Sequence, residues 1–169
     1  MKNRSICIFP EFHNVEEIEV LREKYDPLHS FIPPHITLVH PFKSNLTQHQ
    51  LIEHINSCLV GIKPFEFRLQ NVTGAPDHYL FLNVKKGNDS IIELRDRLYS
   101  GILEKYLVRD LSYMPHLTVG KLSTETAFHE ALEDAVSLHS VFNASIYKIA
   151  VEQIAYDGNS TIESELILD

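Results

Sequence analysis

Pro34-His35-Ile36-Thr37-Leu38 returns 81 residues later as Pro115-His116-Leu117-Thr118-Val119, one copy in each half of a 169-residue chain. A His-x-Thr tripeptide alone means little among ten histidines. Requiring the preceding proline and the flanking hydrophobic residues lowers the chance expectation to roughly a few in a thousand chains of this composition. The approach repeats too, as Ser30-Phe31-Ile32-Pro33-Pro34 before the first copy and Ser112-Tyr113-Met114-Pro115 before the second. An offset near half the chain, used twice, is too long for a solenoid and predicts two similar lobes, about residues 1–75 and 76–169 of one bilobal domain.

The surrounding elements follow the same order in both halves. Ser5 to Phe9 is β-prone, Asn14-x-x-Glu17 opens a helix to about Lys24, and Asp26 to Pro34 reads as a loop. A strand at His35 to His40 precedes a helix opened by Thr47-x-x-Gln50 and running to about Leu59. Phe65, Phe67 and Leu69 alternate with Glu66, Arg68 and Gln70, which predicts a strand from Phe65 to Val72. The second half offers a strand at Tyr79 to Val84 and a helix from about Ser90 with Ile91, Leu94, Leu98 and Ile102 on one face. The motif strand His116 to Lys121 and a helix from Thr124 to Val136 come next. A long irregular strand, Phe142 to Tyr156, and a last one, Thr161 to Leu168, flank the Asp157-Gly158 turn.

Composition narrows the class. With 44% hydrophobic residues the chain can bury a substantial core. No segment approaches the roughly 18 unbroken apolar residues of a membrane span. The start, MKNRSICIFPEFHN, lacks a signal peptide's long apolar stretch, so a cytoplasmic, monomeric protein is expected. Cys7 and Cys58 lack metal-ligand spacing and read as buried reduced thiols. A formal charge of −8 argues against an extended nucleic-acid surface, which needs Lys and Arg to displace counterions. A small nucleotide or an RNA end remains a suitable partner, because a local pocket need not follow net charge.

Side chains two apart on a strand share a face, so His35 with Thr37, and His116 with Thr118, look outward while Ile36, Leu38, Leu117 and Val119 enter the core. If the outward faces oppose one another, two imidazoles and two hydroxyls meet in one cleft. One histidine can take a proton from water or a hydroxyl while the other protonates the leaving oxygen. The threonines can donate to non-bridging phosphate oxygens, where charge grows. Two blander readings compete: ordinary half-exposed strand residues, and a single or dinuclear metal site, which the absence of Asp, Glu or Cys from both motifs disfavours. No metal and no cofactor are expected.

Around the motifs, Phe31, Phe42 and Tyr113 are candidates to stack on a base, although aromatics beside a strand are more often core. Lys121 could neutralise phosphate charge, but strict alternation from His116 puts it on the opposite face unless a bulge or the strand end turns it. By the same parity His40 falls off the His35 face. The other seven histidines receive no role.

At PPHITLVHPF and MPHLTVGKL the chain resembles the two-histidine phosphoesterase superfamily, which includes the bacterial RNA 2′-5′ ligase and 2′,3′-cyclic phosphodiesterase group. The resemblance spans nearly the whole chain, and both motifs are intact. It implies an α+β, duplicated bilobal fold: two antiparallel-rich sheets with outer helices, facing each other across a central cleft. It implies metal-independent chemistry on 2′,3′-cyclic phosphate or related cyclic and 2′-5′ nucleotide linkages. His35 and His116 become the acid–base pair, and Thr37 and Thr118 the phosphate holders. A sparse basic surface favours hydrolysis of a small or terminal substrate over joining large RNAs. A non-catalytic module binding a nucleotide or RNA end, and an RNA 2′-5′ ligase, are the alternatives.

Overall fold

The computed structural model describes residues 1–169. In chain order the elements are β1 (Lys2–Ile8), α1 (Val15–Tyr25), β2 (Ile36–Ser44), α2 (Gln48–Leu59), β3 (Phe65–Ala75), β4 (Tyr79–Lys86), α3 (Asn88–Leu98), β5 (His116–Lys121), α4 (Glu125–Ala135), β6 (Phe142–Ile146), β7 (Lys148–Ile154) and β8 (Ser160–Ile167). Local chemistry accounts for most boundaries. Thr47 and Gln50 form a reciprocal capping box at α2, the Thr47 N–H donating to Gln50 Oε1 (2.9 Å) and the Gln50 N–H to Thr47 Oγ1 (3.2 Å). Asn14 makes no such box: its side-chain amide donates to the Glu17 carboxylate, and the first-turn acids Glu16 and Glu17 complement the positive end of α1. The turn between β7 and β8 uses Gly158 at φ 90°, a conformation open to glycine. Helix α3 stops at Leu98, so Ile102 lies in a following 3-10 turn (Gly101–Tyr106) instead of extending the helical apolar face.

The strands build two four-stranded antiparallel sheets, in the orders β2-β1-β7-β8 and β5-β4-β3-β6. Helices α2 and α3 pack together, α3 against β2 and α2 against β8, while α1 lies against β5 and α4 against β3. The fold is the expected α+β arrangement of two antiparallel sheets with helices. The lobes do not follow the expected division at residue 75. Strand β3 joins the sheet of β4 and β5, and β7 and β8 return to the sheet of β1 and β2. The predicted single strand Phe142 to Tyr156 is accordingly two strands that part at Tyr147. Phe142 and Ile146 are buried beside β3, whereas Ile149 and Val151 are buried in the other sheet. Sheet membership is set by pairing partners far away in the chain, which the order of elements does not reveal.

Ile36, Leu38, Leu117 and Val119 are fully buried, and His35, Thr37, His116 and Thr118 are half-buried on the other face, as strand parity requires. The motif strands β2 and β5 are each the edge of a sheet, and they contact one another.

Candidate active site

The two motifs share one local architecture. On β2, Ile36 pairs with Ile8 and Thr37 with Cys7, after which the register slips so that Val39, not Leu38, pairs with Ile6. On β5, Leu117 pairs with Leu82 and Thr118 with Phe81, after which Gly120, not Val119, pairs with Leu80. One extra residue thus follows each motif threonine, Leu38 in one sheet and Val119 in the other, and a bulge of this kind reverses the facing of everything beyond it. The burial pattern carries the same signature, with Leu38-Val39 and Val119-Gly120 both buried in succession.

Two sequence-based assignments change as a result. Lys121 pairs with Tyr79 and shares the face of Phe81 and Thr118, so the bulge turns it onto the motif side. His40, which alternation assigned to the opposite face, is turned onto the side of Thr37 in the same way. The 81-residue offset that relates the motifs also relates His40 to Lys121, so the repeated unit is longer than His-x-Thr. That equivalence was open to inspection in the sequence, but the bulge that gives it meaning was not.

The histidines are held alike. His35 Nδ1 lies 2.9 Å from the Pro33 carbonyl oxygen and His116 Nδ1 lies 2.6 Å from that of Met114. A carbonyl can only accept, so each Nδ1 carries the hydrogen and each Nε2 is the atom left to exchange protons. Burial holds both imidazoles below their ordinary pKa. The carbonyl hydrogen bonds oppose this, and at His116 the charges of His40 and His35 add to it. At His35 Glu152 and Asp26 favour the charged form and Arg22 disfavours it. His40 is lowered by burial and by Arg95. The environments of the pair differ in one respect: His116 stacks on Phe81 with ring centroids 3.5 Å apart and planes 15° apart, whereas the Phe9 ring is 5.9 Å from His35.

The other candidates divide. Lys121 Nζ donates to the Asp77 carbonyl and sits 4.1 Å from the centre of the Tyr79 ring. Tyr113 donates its hydroxyl to the Thr37 carbonyl (2.9 Å) and has the Arg95 guanidinium 4.4 Å from its ring centre, so it braces the site and one of its faces is taken by a cation. Phe42 is not at the site. A second register shift, between Ile6 and Arg4, returns it to the core face, where it is buried against Tyr106 at 4.8 Å. Phe31 is half-buried beside Gly158, its carbonyl accepting from the Ser160 N–H (3.1 Å). A cavity of about 570 Å³ lies against Pro33 and Pro34, with Phe9 and Phe12 on its apolar side and Glu11, Glu19, Glu165 and Lys148 on its charged side; none of His35, Thr37, His116 and Thr118 lines it. No group of three or more His, Cys, Asp or Glu side chains is arranged to hold a metal ion.

Residues 10–152 match the model of the 2'-5' RNA ligase superfamily. A Bacillus cereus protein named "Putative phosphoesterase" is 29% identical over 119 residues, covering 69% of this chain and 67% of its own. A Bacillus licheniformis protein of the same description is 27% identical over 123 residues, covering 71% and 72%. Among solved structures, E. coli LigT complexed with 3'-AMP superposes with a TM-score of 0.62 at 13% identity, covering 99% of this chain and 98% of that one. Its ATP complex gives a TM-score of 0.57 at 16% identity, covering 99% and 97%.

Proposed function

Because the chain belongs to the 2'-5' RNA ligase superfamily, we propose that it is a metal-independent phosphodiesterase that hydrolyses 2′,3′-cyclic phosphate or a related cyclic or 2′-5′ nucleotide linkage. The observation that carries this is the matched anchoring of His35 and His116, each with Nδ1 on a backbone carbonyl and Nε2 free. Two imidazoles presented alike suit concerted proton transfer, one accepting from water as the other donates to the leaving oxygen. Water oxygen forms the new P–O bond, the P–O bond to the leaving ribose oxygen breaks, and the proton count is unchanged. Thr37 and Thr118 donate to the non-bridging oxygens, and Lys121 offsets charge beside them.

E. coli LigT has been crystallised with 3'-AMP and with ATP, which favours a nucleotide ligand here. The net charge of −8 favours a small or terminal substrate over an extended RNA. No helix is long and apolar enough to cross a membrane.

Incubation with 2′,3′-cyclic nucleotides, cyclic dinucleotides and 2′-5′ oligoadenylates in excess chelator tests the assignment. Hydrolysis of one class with a bell-shaped pH dependence supports it. Activity abolished by chelator and restored by zinc or manganese would replace it with metal chemistry. Tight nucleotide binding without turnover would make the protein a binding module, and joining of RNA ends would make it a ligase.

A further inference from the structure

The sheet face that carries Thr37 also carries, two strands away on β7, a buried carboxylate that the proposed chemistry does not use. Thr37 pairs with Cys7 on β1, and Ser5, two residues along, pairs with Glu152 on β7, so these side chains share one face of the sheet. Glu152 is 4% exposed. It accepts from Ser5 Oγ (2.7 Å) and from Cys7 Sγ (3.6 Å), and no Lys or Arg approaches within ion-pair distance. The other buried acid, Asp26, is neutralised directly, 2.9 Å from Arg22, and so is the half-buried Glu163, 2.5 Å from Arg4. A buried carboxylate without a cation is costly to fold around, and such groups concentrate at functional sites.

The second sheet has nothing similar. The residue paired with Thr118 is Phe81, where Cys7 is paired with Thr37, and its ring lies flat against His116. The two motifs are alike in backbone and unlike in what lies under them.

We propose that Glu152 is a positioning residue of this site, its buried carboxylate serving as counter-charge to the His35 imidazolium, so that His35 donates the proton and His116 accepts one. The step runs as follows: His116 Nε2 takes a proton from water, the water oxygen bonds to phosphorus, the P–O bond to the leaving ribose oxygen breaks, and that oxygen takes the proton of His35 Nε2. The remaining groups around His35 do not supply the same charge. Burial pushes the Cys7 thiol up, which keeps it neutral. Arg22 and Asp26 neutralise each other. His116 and His40 add only positive charge when protonated, and Phe9 contributes an aromatic ring. The proposal rests on the histidine pair being the proton-transfer pair.

Ring-signal NMR titration of His35 and His116 tests it in the full-length protein and in E152Q, which keeps the shape and the acceptor oxygen. In the unsubstituted protein His35 titrates above His116. In E152Q the His35 titration falls by about one pH unit, the effect of a charge at several ångströms and an effective dielectric of about 20. The His116 titration moves much less. With 2′,3′-cyclic AMP as probe, the alkaline limb of the kcat profile falls with His35 while the acid limb stays, and E152D restores most of the alkaline limb. An unmoved His35 in folded E152Q, or movement of the acid limb instead, overturns the proposal. If E152Q does not fold, the order of titration in the unsubstituted protein decides, and His116 titrating above His35 overturns it. Failure to turn over any cyclic nucleotide counts against the enzymatic function alone, because the NMR titrations read the Glu152–His35 coupling without turnover.

Discussion

The Tyr113 hydroxyl donates a 2.9 Å hydrogen bond to the Thr37 carbonyl, tying the segment that leads into the second motif to the strand of the first. Its ring and that of Tyr99 hold the buried Arg95 guanidinium, at 4.4 and 4.9 Å, and the Tyr99 hydroxyl accepts from the His40 N–H (3.0 Å). The two tyrosines thereby satisfy polar groups of edge strand β2 at the level of the site. Tyr113→Phe keeps the stacking and removes the bond. It should cost about 1 kcal/mol in urea denaturation, and lower kcat severalfold with little change in KM, since Thr37 loses a constraint on its position. A variant with unchanged stability and turnover would show that the bond does not brace the site.

Substituting either histidine by alanine should lower turnover by roughly 100- to 10,000-fold, the contribution of one positioned acid or base. The double variant should be little worse than a single one, because the pair acts as a unit. Thr37→Val and Thr118→Val keep the branched shape and should cost about 100-fold. Steady-state kinetics on the same cyclic substrate, with retained binding of a product nucleotide, separates lost chemistry from lost folding.

The matched bulges turn Lys121 and His40 onto the faces of the motif threonines, in equivalent positions of the two sheets. Lys121→Met should lower kcat/KM about tenfold, the low end for losing a hydrogen bond from a charged group. His40→Gln should have a smaller effect that grows toward acid pH, where the imidazole is charged. Equal activity of both variants at pH 5.5 and 7.5 would remove these residues from the site.

Stability should fall on mild acidification. His35, His40 and His116 have folded pKa values below the ordinary one, so as pH drops below about 6.5 the unfolded chain binds protons that the folded chain refuses. The penalty is absent above that pH and complete once pH falls beneath the folded values. Urea midpoints should therefore be lower at pH 5.5 than at 7.5, and replacing His35 and His116 by glutamine should flatten the difference. Glu163 is lowered chiefly by the Arg4 hydrogen bond, and its stabilisation is lost only as pH falls below about 4.3, outside this window. A midpoint independent of pH between 5.5 and 7.5 would contradict the burial of the three rings.

What the chain determined by itself is local. Pro-His-hydrophobic-Thr-hydrophobic set which side chains leave the core, because two-residue alternation is a property of any extended backbone: Ile36 and Leu38 are fully buried, whereas His35 and Thr37 lie half-buried on the other face. The α2 cap was legible for the same reason, since Thr47 and Gln50 are three residues apart. The tertiary structure decided everything that depends on register. Whether Lys121 and His40 reach the side of the motif threonines and Phe42 does not turns on single extra residues, seen only against the partner strand. Which sheet receives Phe142–Ile146 and which Lys148–Ile154 turns on pairing with β3 and β1. The buried carboxylate on the Thr37 face of the first sheet comes from Glu152, 147 positions from the Ser5 that binds it, because cross-strand neighbours are chosen by the closure of the whole sheet and leave no periodic trace in the chain.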